Sequence, residues 1–379
     1  MTALQPTRAH LLILTLLAMA TGWIICWLVV RFPNLHGRFS TDHVDSGVQK
    51  FHAQPTPRIG GLGIAAGVLA GTLLVCNTAW FPQTTHDEFI GLVLASVPAF
   101  LGGLIEDVTR KVGPRARLMM TMVSGALGIS MLGATISRLD IPIVDLAFRF
   151  YPIGVILTMF AVGGVSNAVN IIDGFNGLAS GVVMIMLVGI ATVAAMHADL
   201  TILAAAMAMA GVVVGFLYWN WPHGRIFLGD GGAYLLGFWV AELAILLVAR
   251  HPDITAWFPV LLMIHPIMET LFSVYRRTFL RGRPSTHADA MHLHQLVYAR
   301  LVRIYVGSRA VSEKTKRNSA TALYFWVASL ITTASSVVLT SFAIVSFLVA
   351  FVACAAYVLL YRRLIHWNSP QSAMLREWL

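Results

Sequence analysis

Residues 177–219 read GLASGVVMIMLVGIATVAAMHADLTILAAAMAMAGVVVGFLYW, and this stretch decides the fold. It consists of two apolar runs, 177–197 and 200–219, and Asp199 between them is its only Asp, Glu, Lys or Arg. A helix of about 20 residues crosses the roughly 30 Å hydrocarbon core of a bilayer, so each run is long enough to span it. The stretch therefore predicts two membrane-spanning helices joined by a tight turn.

The composition of the whole chain agrees with a membrane protein. Of its 379 residues, 58% are hydrophobic and only 11% are charged, against roughly 25% charged in a typical soluble domain. These values exclude a soluble enzyme and a disordered chain, which needs low hydrophobicity. The net charge of +9 does not indicate nucleic acid, because membrane topology explains basic residues between apolar segments. The three cysteines lie in separate apolar runs without CxxC, so we expect neither disulfides nor a zinc site.

Eleven segments have the length and hydrophobicity of a membrane helix. They cover approximately residues 9–31, 60–81, 89–105, 118–137, 146–165, 177–197, 200–219, 231–249, 255–275, 320–340 and 342–361. Lys and Arg accumulate on the cytoplasmic side of membrane proteins. If the N-terminus lies outside, 22 of the 26 basic residues lie inside. We therefore predict an all-α polytopic membrane bundle of about 11 transmembrane helices, with the N-terminus outside and the C-terminus inside.

We predict that residues 1–379 form a single polytopic domain. Its catalytic core is expected in about residues 45–300, and the helices in 320–361 form its C-terminal part. The predicted outside loops are short, whereas the inside loops contain nearly all of the Gly, Pro, His and carboxylate clusters. The functional face is therefore expected to be cytoplasmic.

Five polar motifs lie on this predicted cytoplasmic side. They occupy residues 50–61, 106–107, 167–179, 220–230 and 276–294. Carboxylates at the edge of the hydrocarbon are costly and usually functional, and a carboxylate with substrate phosphates commonly holds Mg²⁺. Glycines let backbone N–H groups approach an anion at a helix N-terminus, and arginines bind phosphates. Together the motifs suit a phosphate-bearing substrate and Mg²⁺.

Each motif taken alone also has a structural alternative, which for residues 167–179 is a simple loop. The 50–61 stretch could be a basic anchor with a stiff connector, and the acids at 106–107 could form a solvated helix end. Asp230 could be a helix N-cap, and the basic loop could contact anionic lipid. His292 and His294 lack an HExxH pattern and accompanying cysteines, which argues against zinc.

The ordered motifs resemble those of the polyprenyl-phosphate N-acetylhexosamine-1-phosphate transferases, glycosyltransferase family 4. The resemblance covers about residues 45–300. Its specific parts are Pro-Thr-Pro-Arg-x-Gly-Gly at 55–61, the acidic pair at 106–107, Asn-x-x-Asn-x-x-Asp-Gly at 167–174, Phe-Leu-Gly-Asp at 227–230 and His-x-His at 292–294. It implies transfer of a sugar 1-phosphate from a UDP-sugar to undecaprenyl phosphate, with release of UMP and a need for Mg²⁺ or, in its place, Mn²⁺.

The resemblance also implies a cellular setting. The product would begin a cell-surface polysaccharide, such as an O-antigen or another cell-surface glycan. The protein would be a multi-pass protein of the bacterial inner membrane with its active site at the cytoplasmic face, and related enzymes suggest a homodimer. The sugar stays open among UDP-N-acetylglucosamine, UDP-N-acetylgalactosamine and 6-deoxy-N-acetyl sugars.

The resemblance implies roles for individual residues, and the basic loop adds Arg281 and Arg283. Catalytic roles are expected for Glu106, Asp107 and Asp230, and Mg²⁺ ligation for Asp230, Asp107 and Asp173. The expected substrate-binding residues are Lys50, His52, Thr56, Arg117, Asn167, Asn170, Asp173, Asn176, Asn220, Arg281, Arg283, His292 and His294.

Three departures from the family pattern affect these roles. Glu106 stands where the family usually has Asp, which adds one methylene of reach. Asn176 also replaces a usual Asp, which disfavours a metal role for it. The histidine motif lacks the three-histidine run of the MraY-like branch, and this points to the WecA-like branch.

A secondary transporter is the main alternative function, because acids at a membrane edge and Gly-interrupted helices occur there too. Transporters, however, place polar residues near mid-membrane and often show inverted repeats, whereas the acids of the five motifs are predicted at one face and the sequence shows no repeats. A non-catalytic scaffold for polyprenyl lipid would tolerate replacement of Asp107 and Asp230. For the transfer itself we favour direct attack by the lipid phosphate, and a phospho-enzyme on Glu106 or Asp107 is the alternative.

Overall fold

The computed structural model describes residues 6–42, 55–280, 291–303 and 311–366, and these ranges are almost entirely helical. The helices are α1 Arg8–Arg31, α2 Pro33–Ser40, α3 Gly61–Asn77, α4 Gln83–Thr109, α5 Pro114–Leu132, α6 Pro142–Asp145, α7 Tyr151–Ile172, α8 Leu178–Met196, α9 Leu200–Asn220, α10 Gly229–Arg250, α11 Trp257–Leu262, α12 Ile264–Tyr275, α13 Leu293–Val297, α14 Val311–Val338 and α15 Ala343–Ile365. A 3₁₀ turn spans Leu146–Arg149, and π-helical turns span Arg276–Leu280 and Tyr298–Val302. The strands β1 Thr41–Asp42 and β2 Thr56–Pro57 pair antiparallel.

A helix lies at each of the eleven predicted spans. Among the described residues, eight helices are long and apolar enough to cross a membrane: α1, α4, α7, α8, α9, α10, α14 and α15. Of the others, α3 has 17 residues, α5 carries two arginines in its first turn, and the ninth span is divided between α11 and α12. The all-α polytopic fold is confirmed, whereas the number of crossings and their orientation stay predictions.

Two spans differ from the hydropathy pattern. The span expected at 146–165 begins later, as α7, and continues to residue 172. It continues past Asn167 because this side chain donates from Nδ2 to a carbonyl one turn earlier in the same helix, at 2.7 Å. A polar side chain satisfied in this way does not end a helix. The ninth span is interrupted at Met263, and Pro266 in the first turn of α12 cannot continue the hydrogen bonding of α11.

Helices α8 and α9 form the predicted hairpin. At its turn, the Asp199 carboxylate accepts the backbone N–H of Ile202 at 3.0 Å and so caps α9. Arg250 and His251, at the end of α10, each place a nitrogen 3.3 Å from the same carboxylate. These contacts fix the hairpin turn to the end of α10.

Helix α10 is the centre of the bundle. It packs against α3, α4, α7 and α8, and 89% of its most apolar 18 residues are buried, against 11% for α15. A helix that is hydrophobic on all sides is stable when other helices surround it. The bundle therefore places Asp230, in the first turn of α10, at one end of its best-covered helix.

Candidate active site

The first turn of α10 meets the C-terminal part of α4. The Asp107 carboxylate in α4 accepts the backbone N–H of Asp230 through Oδ1 and that of Gly231 through Oδ2, both at 2.9 Å. The N–H groups of a first helical turn have no partner within the helix, and the helix dipole favours a negative charge beside them. Asp107 is only 1% exposed, so its carboxylate caps α10 from within the bundle.

Two arginines join the carboxylates. Arg58 donates from Nε to Asp107 Oδ1 at 3.1 Å, and its Nη2 lies 3.5 Å from Asp230 Oδ1. Arg117 in α5 donates from Nη1 to Oδ2 of Asp230. Buried charges are tolerated when they are paired in this way. We refer to Arg58, Asp107, Arg117 and Asp230 as the Arg–Asp cluster.

Glycines allow the helices around the cluster to touch through their backbones. A Cβ atom on Gly103, one turn before Asp107, would lie 2.5 Å from the carbonyl oxygen of Asp230. A Cβ atom on Gly61 would lie 2.8 Å from the Cα of Gly232. Real Cβ atoms essentially never come closer than 3.0 Å to such neighbours, so only glycine permits this approach.

The segment before α3 is joined to the segment before α10 by main-chain hydrogen bonds. Phe227 donates its N–H to the carbonyl of Pro57 at 2.8 Å, and Gly60 donates its N–H to the carbonyl of Phe227 at 2.9 Å. Arg58 lies between these two contacts. These hydrogen bonds fix the backbone on both sides of Arg58 and so position its side chain beside Asp107 and Asp230.

Asp173 adds a third carboxylate at the C-terminal end of α7. Burial raises the pKa of Asp173 well above its usual range, the Asp107 carboxylate raises it further, and Arg58 partly opposes both effects. Asp173 is therefore within electrostatic range of two members of the Arg–Asp cluster, Asp107 and Arg58. Asn170 stands three residues earlier in α7, on the same face of the helix.

Asn220 and Asn176 brace the segment that leads into α10. Asn220 accepts the N–H of Gly177 at 2.6 Å and donates to the carbonyl of Ile226 at 2.8 Å. Asn176 donates from Nδ2 to the carbonyl of Pro222 at 3.0 Å. Both asparagines are buried, and these amides determine the shape of the segment before α10. Their contact with a UDP-sugar stays a prediction.

Three other predicted residues make their contacts outside the Arg–Asp cluster. Buried Thr56 donates to a carbonyl in the segment before α10 at 3.3 Å, and Asn167 donates within α7. Glu106 accepts the backbone N–H of Val112 at 2.8 Å. Successive residues of a helix point about 100° apart. Glu106 therefore does not share the direction of Asp107, although its charge still acts on that carboxylate.

The histidine motif lies at the start of α13 against α12. The Nδ1 atoms of His292 and His294 are 3.3 and 3.1 Å from the carboxylate oxygens of Glu269. A Cβ atom on Gly174 would lie 3.3 Å from Nε2 of His294, so this imidazole adjoins the turn that follows Asp173. The motif is thus next to the third carboxylate of the site.

Comparison with known proteins gives the family. Residues 89–248 match the sequence model of Glycosyl transferase family 4. A probable undecaprenyl-phosphate N-acetylglucosaminyl 1-phosphate transferase of Bacillus subtilis (strain 168) is 30% identical over 261 residues, which cover 66% of this chain and 68% of that protein. The chain belongs to glycosyl transferase family 4.

Two further members of family 4 show the same relationship. A decaprenyl-phosphate N-acetylglucosaminephosphotransferase of Mycolicibacterium smegmatis is 28% identical over 346 residues, 81% of this chain and 76% of that protein. A phospho-N-acetylmuramoyl-pentapeptide-transferase of Bacillus cytotoxicus is 30% identical over 202 residues, 51% of this chain and 61% of that protein. The predicted membership of this family is therefore confirmed.

Arg58 and Glu269 contact other residues of the candidate site, and no individual role was predicted for either. Arg58 lies within the motif at 55–61, and its position two residues before Gly60-Gly61 was the available signal. Glu269 is a carboxylate in an apolar segment, and a carboxylate there is usually functional. In both cases the sequence shows the charge but not its partner, which lies far away along the chain.

Four predicted substrate-binding residues, Lys50, His52, Arg281 and Arg283, lie outside the described residues. Their roles in this family 4 protein stay predictions.

The carboxylates near α10 have the chemistry that Mg²⁺ prefers. This ion takes oxygen ligands and is usually bound by one or two carboxylates together with substrate phosphates and waters. Within the described ranges, no group of three or more His, Cys, Asp or Glu side chains is arranged to hold a metal by itself. The donor set fits an ion that Asp230 and its neighbours share with a phosphate-bearing substrate.

Proposed function

We propose that this family 4 protein transfers an N-acetylhexosamine 1-phosphate from a UDP-sugar to undecaprenyl phosphate and releases UMP. The Arg–Asp cluster at the first turn of α10 carries the proposal, because guanidinium groups, carboxylates and a helix N-terminus together suit a diphosphate. The names of its relatives, which act on undecaprenyl or decaprenyl phosphate, support the acceptor. The product would begin a cell-surface polysaccharide, as in O-antigen synthesis.

In this proposal the two arginines bind the donor diphosphate. A guanidinium group binds a phosphate through two parallel N–H donors, the same donors that it offers to a carboxylate. Arg58 and Arg117 are already directed to one place by Asp107 and Asp230. The aspartates therefore orient the arginines before the substrate arrives.

Asp230 is the proposed principal ligand of Mg²⁺, with Asp173 and Asp107 nearby. Mn²⁺ is expected to substitute for Mg²⁺ at this site. The ion, when bound, would neutralise charge on the diphosphate. The protein itself supplies the positive charge of Arg58 and Arg117 and the fixed N–H groups of α10.

The transfer is proposed to be one displacement. An oxygen of undecaprenyl phosphate attacks the sugar-linked phosphorus and forms the new P–O bond, while the bond from that phosphorus to the bridging oxygen breaks and its electron pair leaves with UMP. The lipid phosphate is already anionic and needs little activation. Positioning and electrostatic stabilisation therefore do most of the catalysis.

The contacts of the two acids favour this direct route over a phospho-enzyme. Both oxygens of Asp107 accept backbone N–H groups, Oδ1 also accepts from Arg58, and the residue is 1% exposed. A nucleophile needs a free lone pair directed at the phosphorus. Glu106 faces the N–H of Val112 instead. A labelled sugar phosphate trapped on the protein in the absence of lipid acceptor would contradict direct attack.

The protein is a multi-pass membrane protein, and we propose that the site faces the cytoplasm at the inner membrane. The UDP-sugar would reach the cluster from that side, while the isoprenoid tail stays in the bilayer. The excess of basic residues in the predicted inside loops supports this orientation.

The test is a membrane assay with radiolabelled UDP-sugars, undecaprenyl phosphate and Mg²⁺, which compares the wild type with Asp230→Asn. Lipid-soluble label that needs Mg²⁺ and is lost in the variant is the expected result, and the active donor identifies the sugar. If folded wild-type protein makes no product from any donor, the proposed transferase function is wrong, and the transporter or scaffold hypothesis takes its place.

A further inference from the structure

One buried carboxylate holds both histidines of the His-x-His motif. Glu269 in α12 is 0% exposed. Its Oε2 accepts from Nδ1 of His292 at 3.3 Å, and its Oε1 accepts from Nδ1 of His294 at 3.1 Å. The backbone N–H groups of Leu293 and His294 donate to the same carboxylate at 3.2 and 3.1 Å. Four donors from the start of α13 thus converge on one side chain of α12.

This arrangement determines that Nδ1 of each imidazole is a hydrogen-bond donor. An ionised carboxylate can only accept hydrogen bonds, so each Nδ1 must carry a proton. Nε2 of each ring then lies on the side away from Glu269. For His294 that side adjoins Gly174, the residue after Asp173. The rings of His292 and His294 are parallel, with centroids 5.2 Å apart.

The C-terminal helix α15 completes the arrangement. Tyr357 donates its hydroxyl to Oε2 of Glu269 at 3.1 Å, and Tyr361 donates its hydroxyl to the carbonyl of Met291 at 3.1 Å. The guanidinium of Arg276 lies over the ring of Tyr361, 5.6 Å from its centre. Helix α15 lies beyond residues 89–248, where the family model matches. A helix outside the matched region therefore contacts the carboxylate that holds the histidines.

We propose that Glu269 is a positioning residue for the transfer reaction, and that Tyr357 holds it in place. Glu269 holds Nδ1 of both His292 and His294, and it thereby directs Nε2 of His294 to the turn beside Asp173, where the donor diphosphate is proposed to bind. This inference rests on the proposed function. It adds a part of the site that the sequence motifs do not contain.

The first measurement uses Glu269→Gln in the full-length protein. A glutamine amide presents an NH₂ group where one carboxylate oxygen accepted hydrogen bonds, so at least one imidazole must turn or change its tautomer. Replacing a carboxylate that orients a metal-bound histidine typically lowers activity or metal affinity about 10- to 100-fold. We expect kcat to fall by at least about tenfold. KM for the UDP-sugar should change less than about threefold, because Arg58 and Arg117 are proposed to bind the donor and His294 to act in the transfer step.

Glu242→Gln is the matched control. Glu242 in α10 is also 0% exposed, and neither of its oxygens has a hydrogen-bond partner among the described residues. It lies 12 positions after Asp230, about 18 Å along the helix. The same chemical change at the same burial should leave kcat unaltered. Equal loss in both variants would assign the effect of Glu269→Gln to general destabilisation.

A double-mutant cycle separates positioning from packing. If Glu269 acts through the imidazoles, Glu269→Gln should cost at least about threefold less in a His294→Ala background than in the wild type. An equal cost in both backgrounds overturns the inference. Should Glu269→Gln fail to fold, Tyr357→Phe replaces it in the same cycle, with an expected loss of about threefold from one missing hydrogen bond.

The two proposals fail in different ways. If the wild type forms no lipid-linked product, the proposed function is wrong and the role of Glu269 falls with it. If the wild type is active and the cycle is additive, only the role of Glu269 is wrong.

Discussion

Replacing Gly103 by alanine tests whether the site depends on backbone contact between α4 and α10. The new Cβ would lie 2.5 Å from the carbonyl oxygen of Asp230, whereas ordinary van der Waals contact begins at 3.4 Å. The start of α10 must therefore move by about 1 Å, and the 2.9 Å hydrogen bonds from its first turn to Asp107 must lengthen or bend. A misplacement of about 1 Å can reduce a rate about 100-fold. We expect Gly103→Ala to lower kcat between about 10- and 100-fold.

The assay is transfer of labelled sugar phosphate to undecaprenyl phosphate by purified protein at equal concentrations. Gly164→Ala is the control, because a Cβ on Gly164 in α7 would meet nothing within 4 Å. This control makes the same change inside a neighbouring helix, where the added methyl group has room. We expect it to keep wild-type activity and to purify in equal yield.

Retention of more than about one third of wild-type kcat by Gly103→Ala would refute this reasoning. That result would mean that the first turn of α10 can move by about 1 Å without loss of catalysis. A loss of equal size in Gly164→Ala would also refute it, because crowding against Asp230 could then not be the cause.

Four further results are expected. Arg58→Lys should lower kcat/KM at least about tenfold, because one ammonium group cannot reproduce a guanidinium that contacts two aspartates. Steady-state kinetics of the transfer reaction would measure this loss. Removal of divalent ions with EDTA should abolish transfer, and added Mg²⁺ or Mn²⁺ should restore it in the same assay. Burial lowers the pKa of His197, but hydrogen bonds to a backbone carbonyl and to Asp253 outweigh burial, so the pKa is raised. The protonated imidazole therefore stabilises the folded protein below the ordinary histidine pKa. This stabilisation is lost as the pH rises through the raised pKa. Thermal unfolding should therefore show a lower Tm at about pH 8 than at about pH 6, with a smaller difference in His197→Gln. Tyr357→Phe should lower kcat about threefold in the transfer assay, and by less when Glu269 is already glutamine.

Hydropathy was sufficient to locate the long helices because a bilayer requires apolar segments of a particular length. The α8–α9 hairpin agrees closely with the two runs on either side of Asp199. The pattern failed where a local hydrogen bond or a proline altered the outcome. Asn167 satisfies its amide within α7, so the helix continues past it, and Pro266 divides the ninth span.

The motifs predicted which acids would meet but not how they are held. Asp107 and Asp230 were expected at one face, and the structure joins them through the N–H groups of α10. Arg58 and Glu269 were not assigned, because their partners lie far away in the sequence. Hydropathy and motif spacing describe short stretches of chain and contain no information about such distant pairs.

The glycine contacts around α10 restrict how this protein can change over generations. Where two side chains pack together, a substitution in one can be corrected by a second substitution in its neighbour. At Gly61 and Gly103 the neighbour is main chain, which every amino acid shares, so no second substitution can make room. Directed-evolution libraries that seek a new donor sugar should leave these glycines fixed and place their diversity elsewhere in the chain.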